Sequence, residues 1–149
     1  MIFVPRDASE DQVLALVQAF VEVLAREDYE AVFNELGYAL AFGRPGAECI
    51  REAIHKYRSA AYYPGVESFV VTDWRTAQGG NPNRMQEVTW YEPNESGIVG
   101  AVAFDLPLNG RWSDLTANLV FCKSASPSAG YPLGLEDIQS TSAEAQSAA

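Results

Sequence analysis

The chain has 149 residues, 48% of them hydrophobic. That is one domain's worth of sequence with enough apolar surface to bury a core, which excludes disorder along its whole length. Its 20 acidic residues outnumber 10 basic ones, for a net charge of -10, so a phosphate backbone is disfavoured as a partner.

Met1 to Arg6 reads as an extended lead-in ended by Pro5. Ser9 then opens a helix. Its hydroxyl suits a first-turn amide, Gln12 three residues on completes a capping box, and Glu10 and Asp11 complement the helix dipole. Val13, Leu16, Val17, Phe20, Val21 and Leu24 recur at helical spacing as an apolar stripe. Arg26-Glu27-Asp28 interrupts it. Asp28 is placed to cap a second short helix carrying Tyr29, Val32, Phe33 and Leu36, with Gly37 as its stop. Tyr38 to Gly46 is irregular. A third helix is expected from Ala47 to Ser59, with Ile50, Ala53, Ile54 and Tyr57 inward.

After the Pro64-Gly65 turn the period changes from helical to two. Strands are expected at Phe69–Thr76, Gln86–Glu92, Ile98–Asp105, Trp112–Lys123 and, as a short fifth, Tyr131–Gln139. Ile98–Asp105 is apolar on both faces and so is expected to be central, and Pro107, with no N–H, is expected to end it near Leu106. Asn109-Gly110 is the strongest local signal, because both residues tolerate the positive φ of a tight hairpin turn. Beyond it Leu115, Ala117, Leu119 and Phe121 alternate with Asp114, Thr116 and Asn118, which predicts one packed and one polar sheet face. Ser124 to Ser128 reads as a loop, and Ser140 to Ala149 as a disordered tail. Helices first and then strands joined by short turns is the α+β signature. The expectation is one domain over 1–139, with three N-terminal helices on a curved antiparallel sheet of four to five strands.

Chemistry is sparser. His55 is the only histidine and has no second metal ligand near it, so it reads as a helix residue at the rim of the core. Cys49 and Cys122 are far apart and lie in no Cys-x-x-Cys pair, which fits free thiols better than one disulfide. A Gly-x-Ser-x-Gly elbow and a phosphate-cradling glycine loop are both missing, and no cofactor or metal is expected. Arg51, Lys56 and Arg58 form the only close basic group, diluted by Glu48 and Glu52, so no nucleic-acid site is expected. No opening segment resembles a signal peptide and no apolar run approaches spanning length, which gives the cytosol as the expected address, away from membranes.

The polar residues that draw attention are Asp105 and Asp114, together with Asp73 and Glu87, because acidic residues are depleted in strands. Two carboxyls meeting on a concave sheet make an acid/base pair with separated pKa values. The structural alternative has Asp114 bonding turn amides after Arg111-Trp112, and Asp73 and Glu87 guarding sheet edges. Trp90 and Tyr91 are adjacent, so one ring falls on each face of their strand and needs cover from a helix, a partner or a ligand.

The Arg26-Glu27-Asp28-Tyr29-Glu30 step between helices and the closing run Trp112-Ser113-Asp114-Leu115-Thr116 resemble the nuclear-transport-factor-2-like (cystatin-like) cone fold. Ser113-Asp114-Leu115-Thr116 followed by Leu135-Glu136-Asp137-Ile138 also resembles a family of uncharacterised bacterial domains, some of which sit in polymorphic-toxin immunity contexts. The resemblance spans Ser9 to Gln139. It implies a helix-lined cone, but the superfamily holds isomerases, dehydratases and hydrolases as well as non-enzymatic binders, so no catalytic residue is carried over.

Two functions are therefore expected in competition. The first is a non-enzymatic domain that binds a partner protein or a second copy through its sheet, as an immunity protein meets a basic toxin. The second is a small-molecule binder or isomerase/dehydratase-like enzyme with a pocket between helices and sheet. Its polar groups would be Asp105, Asp114 and Tyr91, and its walls Trp90 and Phe104.

Overall fold

The computed structural model describes residues 1–124 and 130–140. Most of the loop expected after Ser124, and the tail beyond Ser140, lie outside the described residues. In chain order the elements are β1 (Phe3–Val4), α1 (Glu10–Ala25), α2 (Tyr29–Leu36), a 3-10 turn (Ala39–Ala41), α3 (Gly46–His55), β2 (Gln86–Trp90), β3 (Ile98–Leu108), β4 (Arg111–Cys122) and β5 (Tyr131–Ser140). The strands form one antiparallel sheet in the order β1-β5-β4-β3-β2. The three helices pack against this curved sheet, an α+β architecture consistent with a nuclear-transport-factor-2-like cone.

Local chemistry explains the helices. The Ser9 hydroxyl accepts from the Gln12 N–H while the Gln12 side chain accepts from the Ser9 N–H, which closes the capping box. Val13, Val17, Phe20, Val21 and Leu24 are buried, and Leu16 is only half-buried at the edge of the stripe. The Asp28 carboxylate caps α2 through the Ala31 N–H, and Gly37 ends it at φ +70°, a conformation that favours glycine. The third helix is shorter than its periodicity predicts. It stops at His55, and Tyr57 turns inward beyond the last helical residue to pack edge-on against Phe69 at 5.1 Å.

Rows across the sheet follow from register. Trp90–Gly100–Phe121–Leu133, Val88–Val102–Leu119–Leu135 and Gln86–Phe104–Ala117–Ile138 form the core face. On the opposite face run Thr89–Ala101–Val120 and Glu87–Ala103–Asn118–Asp137. Asn109 and Gly110 make the β3–β4 turn at φ +50° and +84°, as their sequence predicts.

Four expectations change. Phe69–Thr76 is not a strand; it touches the sheet through one bridge, Val71 to Leu108. Its backbone is tied to the hairpin end instead: the Asn109 side chain bonds Val70 and Ser68, and the Thr72 N–H donates to the Pro107 carbonyl. A strand the sequence reading did not give comes from the lead-in, which supplies β1 against β5 at the edge opposite β2. Gln86–Glu92 contributes a strand only as far as Trp90. Pro107 does not end β3. The register shifts between Asp105 and Pro107, so the missing N–H falls where the ladder is already interrupted, and Pro107 still pairs with Trp112. The alternation through β4 does not give a wholly polar second face either. Asp114 and Thr116 are buried, because that shift puts Ser113, Asp114 and Leu115 opposite Leu106 and the 81–85 segment covers Thr116.

Candidate functional site

The two acidic residues singled out on strands both lie inside the protein, in separate hydrogen-bonded nests. Asp105 is 2% exposed. One carboxylate oxygen accepts from the Thr116 hydroxyl at 2.6 Å, and the other from the Met85 N–H at 2.7 Å and the Asn81 amide at 3.2 Å. Asn81 also donates to the Ser113 carbonyl at 3.1 Å, and its own oxygen accepts from the Asn83 N–H at 3.0 Å. This nest fastens the 81–85 segment onto β3 and β4. Burial pushes the Asp105 carboxyl above the ordinary value, against the Thr116 and Met85 bonds that hold it down, and the Asp114 and Glu87 charges add to the rise.

Asp114 accepts from the Tyr57 hydroxyl and, at 3.4 Å, from Ser140. Ser113 beside it serves the local backbone, donating to the Leu106 carbonyl at 2.6 Å and accepting from the Leu115 N–H. Burial raises the Tyr57 phenol far above its usual range, and the bond to Asp114 adds to the rise by holding the proton. Tyr63 beside it is pushed up to about 12, again chiefly by burial; its hydroxyl lies 2.8 Å from the Leu108 carbonyl and 2.7 Å from that of Arg111. Tyr57, Tyr63 and Phe69 pack edge to face at 4.9 to 6.1 Å. Their rings are buried, as are Phe104, Leu106 and Leu119. Neither carboxylate therefore faces a site that solvent reaches, and both do structural work in holding loop and helix end to the sheet.

The remaining residues singled out lie elsewhere. Phe104 is fully buried, with Trp112 at 6.4 Å. Trp90 and Tyr91 are 43% and 48% exposed at the β2 end of the sheet. Trp90 lies on the core face, edge-on to Phe121 at 5.0 Å, where the helix layer leaves half of its ring uncovered. Structure thus brings Asp105 and Asp114 into electrostatic reach of each other but does not gather them with Trp90 and Tyr91 around one cavity.

β2 closes one side of the sheet. The Asp105 N–H donates to the Met85 carbonyl and the Tyr91 N–H to the Val99 carbonyl, so the odd-numbered residues from Met85 to Tyr91 turn their backbone groups toward β3. Gln86, Val88 and Trp90 then turn N–H and C=O outward, and among the described residues no strand pairs with that side. Within Gln86–Trp90 the exposed Glu87 is the one charge of the kind that guards such edges, and neither Pro nor a bulge occurs there.

Surface clefts are also present, one of them bordered by Asn81 of the Asp105 nest. One of about 380 Å³ is lined by Gly79, Gly80, Asn81, Arg84 and Trp112, with the Arg84 guanidinium 4.4 Å from the Trp112 ring centre. A smaller one of about 120 Å³ lies among Ile2, Phe20, Val23, Val32 and Leu36. His55 is half-buried on α3, its Nε2 3.5 Å from the Tyr29 hydroxyl. Cys49 and Cys122 are free thiols. Among the described residues no group of three His, Cys, Asp or Glu side chains is close enough to hold a metal ion, and no helix is long and apolar enough to cross a membrane.

Sequence reasoning missed Tyr57 as the partner of Asp114 and Asn81 as the partner of Asp105. Tyr57 carried a signal, its place on the inward stripe, but nothing pointed from it to a carboxylate 57 residues on. No family model matches the chain, and no curated protein or solved structure is significantly similar to it.

Proposed function

We propose that this domain is a non-enzymatic protein-binding module that takes a partner protein along the open side of β2. The carrying observation is that edge: three outward N–H groups and three outward carbonyls at Gln86, Val88 and Trp90, beside two half-exposed aromatic rings. Extended segments add to such edges through main-chain bonds, and exposed Trp and Tyr supply the anchoring area. The burial of Asp105 and Asp114 supports binding over catalysis, because both Asp105 oxygens are taken up by Thr116, Asn81 and Met85, and Asp114 Oδ1 accepts from Tyr57 and Ser140.

The test is size-exclusion chromatography with light scattering, together with a pull-down from native lysate, run on the wild type and on Val88→Pro. Proline at 88 removes one outward N–H and leaves the β3 ladder intact. A partner retained by the wild type and lost by the variant supports the reading. A strict monomer that retains nothing, or a partner held equally by both proteins, overturns it.

A further inference from the structure

The surroundings of the β2 edge narrow the chemistry of what it binds, on the premise that the edge is a binding site. Side chains alternate along it. Val88 and Trp90 stand on the core face, in line with Val102 and with Gly100 and Phe121, and their rows stop at β2 with apolar surface still exposed. Glu87 stands on the opposite face, while Tyr91, Glu92 and Glu95 follow the strand, all exposed. Glu87, Glu92 and Glu95 form no ion pair among the described residues, whereas Glu22, Glu35 and Glu52 each hold a cation. No lysine or arginine lies in β2 or in the Tyr91–Gly97 turn, within a chain of net charge -10.

An occupant of this edge meets an apolar strip at Val88 and Trp90 on one face and Glu87 with the Tyr91 ring on the other, with the exposed Glu92 and Glu95 just beyond the end of the strand. We propose that β2 recruits a basic extended segment of a partner protein, in which lysines or arginines alternate with β-branched or other apolar residues, as a sixth strand of the sheet. Its main chain bonds Gln86, Val88 and Trp90. Its apolar residues extend the Val88–Trp90 strip. Its cations face Glu87, stack on Tyr91 and, where the segment runs past the end of β2, reach Glu92 and Glu95. A second copy of this chain fits less well, since it brings another net charge of -10 and its own Glu87, Glu92 and Glu95 to the same edge.

Three capped heptapeptides test this on the whole protein: Lys-Val-Lys-Val-Lys-Val-Lys and its counterparts with Ser or Glu in place of Lys. Affinity is read by calorimetry, and site by hydrogen exchange of the Gln86, Val88 and Trp90 amides. The expected result is that the Lys peptide slows exchange at those amides and binds at least about tenfold more tightly than the Ser peptide. Its affinity should fall as salt is raised past the point where exposed charges are screened beyond about 10 Å. The Glu peptide should not bind. The exposed triple substitution Glu87→Lys, Glu92→Lys, Glu95→Lys should reverse the preference toward the Glu peptide. Equal protection by the Lys and Ser peptides overturns the basic partner while leaving an edge-binding module standing. Protection by none of the three overturns both. Amides that become protected with rising protein concentration alone assign the edge to a second copy and overturn the proposal.

Discussion

Asp105 sits at the centre of a nest whose energetics are readable from its bonds. Replacing it with Ala removes both carboxylate oxygens, so the Met85 N–H and one Asn81 N–H lose their acceptor in a covered site, and the Thr116 hydroxyl must turn elsewhere. An orphaned buried donor costs about 1–3 kcal/mol, and relief of the buried charge offsets part of two such losses, so Asp105→Ala is expected to cost roughly 2–4 kcal/mol near neutral pH. At roughly 2–4 °C per kcal/mol for a chain of this size, the melting temperature drops by about 5–15 °C. Asp105→Asn behaves differently. Its amide oxygen still serves Met85 and Asn81, its amide nitrogen meets the Thr116 oxygen, and the Thr116 hydroxyl turns to the Asp114 carbonyl, already 3.4 Å away. Its cost should stay within about 1 kcal/mol.

The two proteins should then diverge with pH. Burial raises the folded-state pKa of Asp105 above its ordinary 3.8. Between that value and the raised one, the folded chain keeps a proton that the unfolded chain has lost, so the contribution of Asp105 to stability falls as pH rises, the reverse of a salt-bridged carboxylate. Below 3.8 both states are protonated and the contribution is flat. Urea unfolding followed by tryptophan fluorescence over a pH series, wild type minus Asp105→Asn, isolates this titration from the other carboxyls. The difference should shift against the wild type as pH climbs through that window. A flat or opposite difference, or an Asp105→Ala cost below about 0.5 kcal/mol, refutes the reasoning.

Gly100→Ala drives a methyl into the Phe121 ring and to 2.7 Å from the Thr89 carbonyl oxygen, so Phe121 and Trp90 must shift. The expected loss is about 1–3 kcal/mol in denaturant unfolding, with Trp90 emission moved. Asn109→Gly keeps the positive φ of the hairpin turn but deletes the bonds to Val70 and Ser68. It should cost about 1 kcal/mol and speed hydrogen exchange at Val70, whereas turn chemistry alone predicts no loss. Tyr57→Phe takes the hydroxyl donor from buried Asp114 and should cost about 1–3 kcal/mol by urea unfolding, more than Ser9→Ala at the exposed α1 cap.

Local rules made part of this protein legible in the chain itself. The capping box at Ser9, the Asp28 cap, the Gly37 stop and the Asn109-Gly110 turn depend on atoms a few residues apart, so their chemistry is complete in the local sequence. The period-two pattern from Leu115 to Phe121 likewise announced a sheet with a packed face. Tertiary structure decided the rest. Phe69–Thr76 has the composition of a strand but spends its backbone bonds on Asn109 and Pro107, which propensity does not report. Asp105 and Asp114 read in the sequence as candidate polar groups of a pocket, with a structural alternative for Asp114, and lie buried because Asn81, Met85, Thr116 and Tyr57 arrive from distant segments. Trp90 and Tyr91 mark an open edge only because β2 is the last strand, and strand order is set by which rows of side chains can share one core.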